Sequence, residues 1–288
     1  MIVRHLRKRM EQLPNITIIQ PAAVADIEWP QSAWQKIHLR LSNHREVSAG
    51  LLVAADGAHS HVRELAGFET REWDYGQEAI ITTVRTQHPH NFTAWQRFMR
   101  TGPVAFLPLQ HEGDAHQCSI VWSADSELAR ELMALDDETF CVRLEQAFES
   151  RLGRVIHCDK RHVVPLRQRH ATRYGRPGVV LVGDAAHSIH PLAGQGVNLG
   201  LLDAQALANE IERALMRRIP LNDESILRRY QRQRLAGNLG MMSVMEAFKQ
   251  LFGSGSLGVN WIRNTGMRQL NSIPLIKKVI INAALGVR

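Results

Sequence analysis

The chain has 288 residues, of which 44% are apolar and 22% charged, and carries a formal net charge of +7. That is an ordinary globular composition, long enough for a core divided over one large or two modest domains. No run of about 18 uncharged apolar residues occurs, which argues against a membrane-spanning helix, and the opening MIVRHLRKRMEQLP has the wrong pattern for a signal peptide.

The three cysteines, Cys118, Cys141 and Cys158, are odd in number and lack metal-ligand spacing, so the expectation is a reduced cytoplasmic setting and no metal site. A basic surface suits nucleic acid, an anionic membrane or an acidic cofactor, or is merely a solvated basic face. No zinc spacing, RNA-binding aromatic signature or helix-turn-helix pattern supports nucleic acid.

In chain order, Val3, Leu6, Met10 and Leu13 lie at helical spacing, and Pro14 and Asn15 stop that helix. NITIIQPAAV then reads as a strand, and KIHLRLSN as another, with Ile37, Leu39 and Leu41 alternating against polar neighbours. LLVAADG is a short apolar run ending in Asp-Gly, the pattern of a buried strand feeding a turn.

From about residue 76 the texture changes. EAIITTVRT, RFMRTGPVAFLPL, HQCSIVWSA and RHVVPLRQRHA read as four strands of a largely antiparallel sheet. A helix from about Asp136, with Phe140, Leu144, Ala147 and Phe148 on one face, lies between the third and fourth. GVVLVGDAAHS resumes an α/β pattern with a buried strand from Val179 to Val182. A helix follows with Ala204, Leu207, Ile211, Ala214 and Leu215 in register. Residues from about 224 read as Arg- and Lys-rich helices, interrupted at Gly253 to Gly258 and closed by the amphipathic IPLIKKVIINAALG.

The most informative stretch is GDAAHSIHPLAGQGVNLGLLDA, residues 183 to 204. A buried strand ending at Gly183 puts Asp184 at the carboxyl edge of a sheet, where open α/β folds bind ligands. A carboxylate there suits hydrogen bonds to sugar-like hydroxyls. The loop with Pro191, Gly194 and Gly196 lets backbone approach a flat ligand. A helix starting near Val197 and Asn198 aims its free N–H groups and positive dipole end back at that loop, which stabilises an anion.

This stretch resembles the second flavin-binding motif of the class A flavoprotein hydroxylases. The resemblance implies that Asp184 holds the ribityl chain of FAD. It implies that Gly194, Gln195, Gly196, Val197 and Asn198 line the flavin ring, with the Pro191 segment beside the face where oxygen reacts. AADGAHSHVRELAG, residues 54 to 67, resembles the same family's Asp-Gly motif, which contributes to flavin and pyridine-nucleotide binding. Asp56, Gly57, Ser60 and Arg63 match it, and Arg63 could reach a phosphate or pair with a carboxylate. YQRQRLAGNLGMMSVMEAFKQLFGSG and the following tail, with GPVAFLPL and CSIVW, are similar to ubiquinone-biosynthesis hydroxylases of the octaprenylphenol or polyprenyl-benzoquinol type.

The fold implied is α/β (α+β). Residues 1–75 and 172–223 form an incomplete Rossmann-like FAD-binding domain, 76–171 an inserted sheet domain for substrate, and 224–288 a helical tail. Family members open with a strand, a G-x-G-x-x-G turn and a helix that grip the FAD pyrophosphate. Met1 begins near a later helix, so the expectation is an N-terminally truncated chain lacking the first βαβ unit.

The function implied is that of an FAD-dependent monooxygenase in ubiquinone biosynthesis. NAD(P)H would reduce the flavin, and O2 would be used to hydroxylate a polyprenylated phenol or quinol. No acid–base residue stands out; the chemistry is centred on the flavin. Other ubiquinone-biosynthesis proteins and the membrane surface are further expected partners, with a cytoplasmic location or a peripheral one at the inner face of the membrane. Two alternatives stand beside this reading. One is a non-catalytic module binding a partner or a membrane surface; the other is a flavin reductase of prenyl chains or another phenol hydroxylase.

Duller explanations apply to single features. His187 and His190 fit backbone-bonding loop histidines better than a metal pair. Arg63 also suits a structural ion pair. Met241, Met242, Met245 and Phe248 suit helix packing better than a quinone site.

Overall fold

A computed structural model describes residues 2–110, 113–188 and 196–253. In chain order the elements begin with helix α1 (Ile2–Glu11) and strands β1 (Val24–Glu28), β2 (Ile37–Leu41), β3 (Glu46–Ala49) and β4 (Leu52–Ala54). Helix α2 (His61–Leu65) and strands β5 (Thr70–Thr86), β6 (Trp95–Met99), β7 (Gly102–Pro108) and β8 (Gln117–Asp125) follow. Then come helices α3 (Ser126–Ala134) and α4 (Asp137–Ala147), strands β9 (Val155–Cys158), β10 (His162–Ala171), β11 (Gly175–Arg176) and β12 (Val179–Leu181), and a 3-10 turn at Gly183–Ala185. Strand β13 (His187–Ser188) and helices α5 (Gly196–Met216) and α6 (Glu224–Gly253) complete the described residues.

Two apolar clusters organise these elements. The first joins Ile37, Ala54, Val62, Leu181, Leu207 and Tyr230, so β2, β4, α2, β12, α5 and α6 share one core. Within it β4 and β12 pair in parallel, with Leu52 opposite Val179 and Ala54 opposite Leu181. Every residue of β12 is buried, as expected of a strand covered on both faces.

The second cluster fills one face of a long antiparallel sheet ordered β13-β10-β5-β8-β7-β6, with β9 also paired to β5. Ile80, Val84, Phe106, Ile120 and Trp122 point from that face onto Phe140 and Leu144 of α4 and Leu132 of α3. Each such buried side chain contributes about 1.5–3 kcal/mol by leaving water. The Phe106 and Phe148 rings stack with centroids 4.0 Å apart.

The register places Ile81 opposite Val121, and Val121 opposite Ala105, on the other face of this sheet. That face is only partly covered: Ile81, Leu107 and Val164 keep 37%, 39% and 46% of their surface exposed.

Several sequence expectations change. Residues 15–23 form no strand; the strand begins at Val24. No neighbouring strand is paired with that stretch among the described residues, and Pro21 has no N–H to give a ladder. RFMRTGPVAFLPL folds as the hairpin β6–β7 rather than one strand, since Gly102 takes a φ of +130° at the turn. The sheet also gains β9 and β13, and α3 follows directly on β8.

The buried face of α5 runs through Leu199, Asp203, Ala206, Leu207, Glu210 and Ala214, while Ala204 and Leu215 face solvent. The apolar spacing misplaced that face because two of its buried positions are acids. On α1, Val3 and Leu6 are 80% and 54% exposed, so its apolar stripe is not buried among the described residues. The Gly253–Gly258 break lies outside the described residues beyond its first glycine, as does the closing amphipathic helix. The side chains of Met241, Met242, Met245 and Phe248 lie outside them as well.

Candidate flavin site

The parallel pair of β4 and β12 sets the site. Both strands end at the same edge, and each is followed by one of the acidic motifs. After β4, Asp56 and Gly57 make a turn with Gly57 at φ +87°. After β12, Gly183 turns at φ +61°, and Asp184 sits exposed in the 3-10 turn. A carboxyl edge of parallel strands is where an α/β fold leaves room for a ligand.

Asp56 is occupied within its own turn. Its carboxylate accepts from the Ser60 hydroxyl and, at 3.1 Å, from the Val62 amide. Ser60 Oγ in turn accepts from the Arg63 amide at 3.0 Å, so both residues cap the first turn of α2. Arg63 is buried, and among the described residues its guanidinium bonds backbone carbonyls rather than a carboxylate. It donates to the carbonyl oxygens of Ala185 at 3.0 Å and Ala58 at 2.9 Å. Arg169 also donates to the Ala58 carbonyl and forms an ion pair with Glu72. Burial first, and then the neighbouring Arg169 charge, lower the Arg63 pKa. The Asp-Gly turn and the Gly-Asp turn, far apart in sequence, are thus tied into one unit.

The α5 helix starts at Gly196 on the same side and has no acidic residue in its first turn to neutralise its dipole. Val197 and Asn198 in that turn are exposed. Among the described residues, a Cβ built on Gly196 or Gly57 would meet no atom within 4 Å. Pro191, Gly194 and Gln195 lie outside the described residues, as does His190.

Sequence reasoning missed the acid behind this edge. Asp203, fully buried on α5, accepts from the Gly183 amide at 3.1 Å and lies 2.6 Å from His187 Nε2. Its other oxygen accepts from Arg234 Nε at 2.6 Å and Asn238 Nδ2 at 3.4 Å. Asn238 reaches the Tyr174 hydroxyl at 3.1 Å, which lies 3.0 Å from His170 Nε2. Burial pushes the Asp203 carboxyl up, but the His187 hydrogen bond and charge, and then Arg234, outweigh it and hold the pKa below its usual value. His187 therefore bonds a carboxylate, not backbone. Two acids at helical spacing, Asp203 and Glu210, among the apolar residues of α5, followed by arginines on the next helix, were the available signal.

The residues fit a flavin nucleotide. An exposed carboxylate at a strand edge offers acceptors for a polyol chain. Two bare glycine backbones leave room for a planar ring. The dipole end of a 21-residue helix faces that space and favours negative charge on the ring.

A family profile described as an FAD binding domain matches residues 4–244. The chain belongs to the FAD-binding family of flavin-dependent monooxygenases. It is 33% identical over 281 residues to the 3-demethoxyubiquinol 3-hydroxylase of Escherichia coli, covering 98% of this chain and 70% of that protein. It is 30% identical over 321 residues to the mitochondrial ubiquinone biosynthesis monooxygenase COQ6 of Xenopus tropicalis, covering 97% of this chain and 68% of that one. Among solved structures, the probable FAD-dependent monooxygenase pqsL of Pseudomonas aeruginosa superposes with a TM-score of 0.74 at 24% identity, over 88% of this chain and 70% of its own. That last likeness concerns the fold. FAD is the cofactor of this family, and the paired turns are where this flavoprotein carries its two matching motifs.

Proposed function

We propose that this flavoprotein hydroxylates the ring of a polyprenylated phenol or quinol in ubiquinone biosynthesis, using NAD(P)H and O2. The observation that carries the reading is the joining of the Asp56-Gly57 and Gly183-Asp184 turns at one parallel-strand edge, beside the start of α5. Bound FAD supplies the redox chemistry that activates oxygen.

The chain's own residues bind and orient. Asp184 offers acceptors to the ribityl hydroxyls, and the amides of Gly196, Val197 and Asn198 favour a reduced, negatively charged ring. Pro191, Gly194 and Gln195 belong to the same flavin motif, and the Asp56–Gly57 turn borders the nucleotide. Strand β13 leads from the Gly-Asp turn into the edge of the long sheet, pairing Ser188 with Arg169. The partly open apolar face carrying Ile81, Leu107 and Val164 suits a prenyl tail.

A position in the cytoplasm at the membrane surface accompanies this reading. It is supported by α1, where exposed Val3 and Leu6 lie among Arg4, Arg7, Lys8 and Arg9. Among the described residues, no helix is long and apolar enough to cross a membrane.

The test is to purify the protein with FAD, supply NADH or NADPH, a prenylated phenol and 18O2, and weigh the product. One labelled oxygen in the ring is the expected result. Reduced nicotinamide consumed with no labelled product, across phenol and quinol substrates, overturns the proposal.

A further inference from the structure

We infer that Asp203 is a positioning residue for the flavin: its buried carboxylate fixes the turn that carries Asp184 and the strand that leads into the flavin loop. This rests on the flavin reading above and adds to it a residue that does not touch the cofactor.

The argument begins with what Asp203 accepts. Gly183 N–H, Arg234 Nε–H and Asn238 Nδ2 are all donors, and they use both carboxylate oxygens. An ionised carboxylate only accepts, so His187 Nε2, 2.6 Å away, must carry its proton. Four donors therefore converge on one acid with no exposed surface. An amide in its place would turn one N–H against another whichever way it was flipped.

The geometry makes this local arrangement matter at the ligand edge. Gly183 immediately precedes Asp184, and a Cβ on Gly183 would come within 3.5 Å of Gly200 Cα in α5. The turn and the helix are therefore in near contact, and Asp203 holds them together one helical turn further on. His187 sits in β13, opposite His170 in the strand register, one residue before Ser188 and the segment leading to Gly196. Loss of either contact shifts Asp184 relative to the α5 amides, the two sets of groups that must meet one cofactor together. Arg234 and Asn238 place α6 behind the same acid, so α6 is part of the support.

The test compares Asp203→Asn, His187→Gln and His187→Leu with the parent protein. Two quantities are read: FAD affinity from flavin fluorescence quenching, and the melting temperature without FAD. Asp203→Asn should weaken FAD binding about tenfold or more at temperatures well below its melting point, the scale of an unmade buried hydrogen bond to a charge. His187→Gln keeps an N–H toward Asp203 and should bind within about twofold of the parent, whereas His187→Leu should weaken binding about tenfold. If Asp203→Asn fails to fold, the two His187 variants still decide. A melting temperature that falls with unchanged FAD affinity, or glutamine and leucine behaving alike, overturns the inference. Absence of FAD binding by the parent would overturn the flavin reading itself, and this inference with it.

Discussion

The Arg63 guanidinium donates to the carbonyl oxygen of Ala185, 122 residues further along the chain, at 3.0 Å, and so joins the two turns. The same side chain holds the Ala58 carbonyl, so one buried cation spans both acidic motifs. Its replacement by Met should leave the Ala185 carbonyl without its donor and the Ala58 carbonyl with Arg169 alone, and cost about 1–3 kcal/mol. Chemical denaturation would show this as a lower midpoint with an unchanged slope. FAD affinity should fall with it, because the relative placement of the two turns is no longer fixed. Unchanged stability would mean that water replaces the guanidinium at the Ala185 carbonyl.

Gly102 closes the β6–β7 hairpin at a φ of +130°, and a Cβ there would lie 2.3 Å from the Ser123 backbone oxygen. Gly102→Ala should lose about 1–3 kcal/mol from backbone strain alone, with the backbone collision adding to it. Thermal unfolding would show the drop. A variant that melts with the parent would mean that β7 and β8 separate at that end at little cost.

Burial, then the charges of His187 and Arg71, lower the His170 pKa below 6.5. A histidine depressed in the folded state binds fewer protons there than in the unfolded chain. Its contribution to stability is therefore complete above 6.5 and is lost as pH falls through the window down to the folded value. Denaturation at about pH 7.5 and about pH 5.5 should show the protein weaker at the lower pH, and His170→Gln should shrink that difference. An equal difference in the variant would place the titrating group elsewhere.

All three cysteines are buried, and burial pushes the Cys118 thiol up to about 11 and the Cys141 thiol up to about 12. Cys158 is raised by the same cause. Thiolate, not thiol, is the nucleophile. Ellman's reagent at about pH 8 should find almost no thiol in the native protein and all three after denaturation. Rapid reaction of the native protein would show that the sheet core opens readily.

The two acidic motifs were legible in the sequence because each is a local event, a short apolar strand followed by a turn. Val179–Leu181 and Leu52–Ala54 need only their own residue types to read as buried strands. The α/β character, the antiparallel sheet and the helix starting near Val197 followed from the same local patterns, as did the family resemblance carried by residues 54–67 and 183–204. By itself, the sequence determined the two buried strands that carry the acidic motifs and the turns that end them.

Only the tertiary structure decided what those motifs touch. Arg63 could have paired with a carboxylate, and its bond to Ala185 instead depends on α2 meeting the turn after β12. Asp203 and Glu210 look like solvent-facing residues of α5 until α6 brings Arg234 and Arg229 against them. Residues 16–18 alternate like a strand yet pair with no strand among the described residues. In each case the deciding energy is that of a hydrogen bond or ion pair between segments remote in sequence, which no local pattern of hydrophobicity encodes.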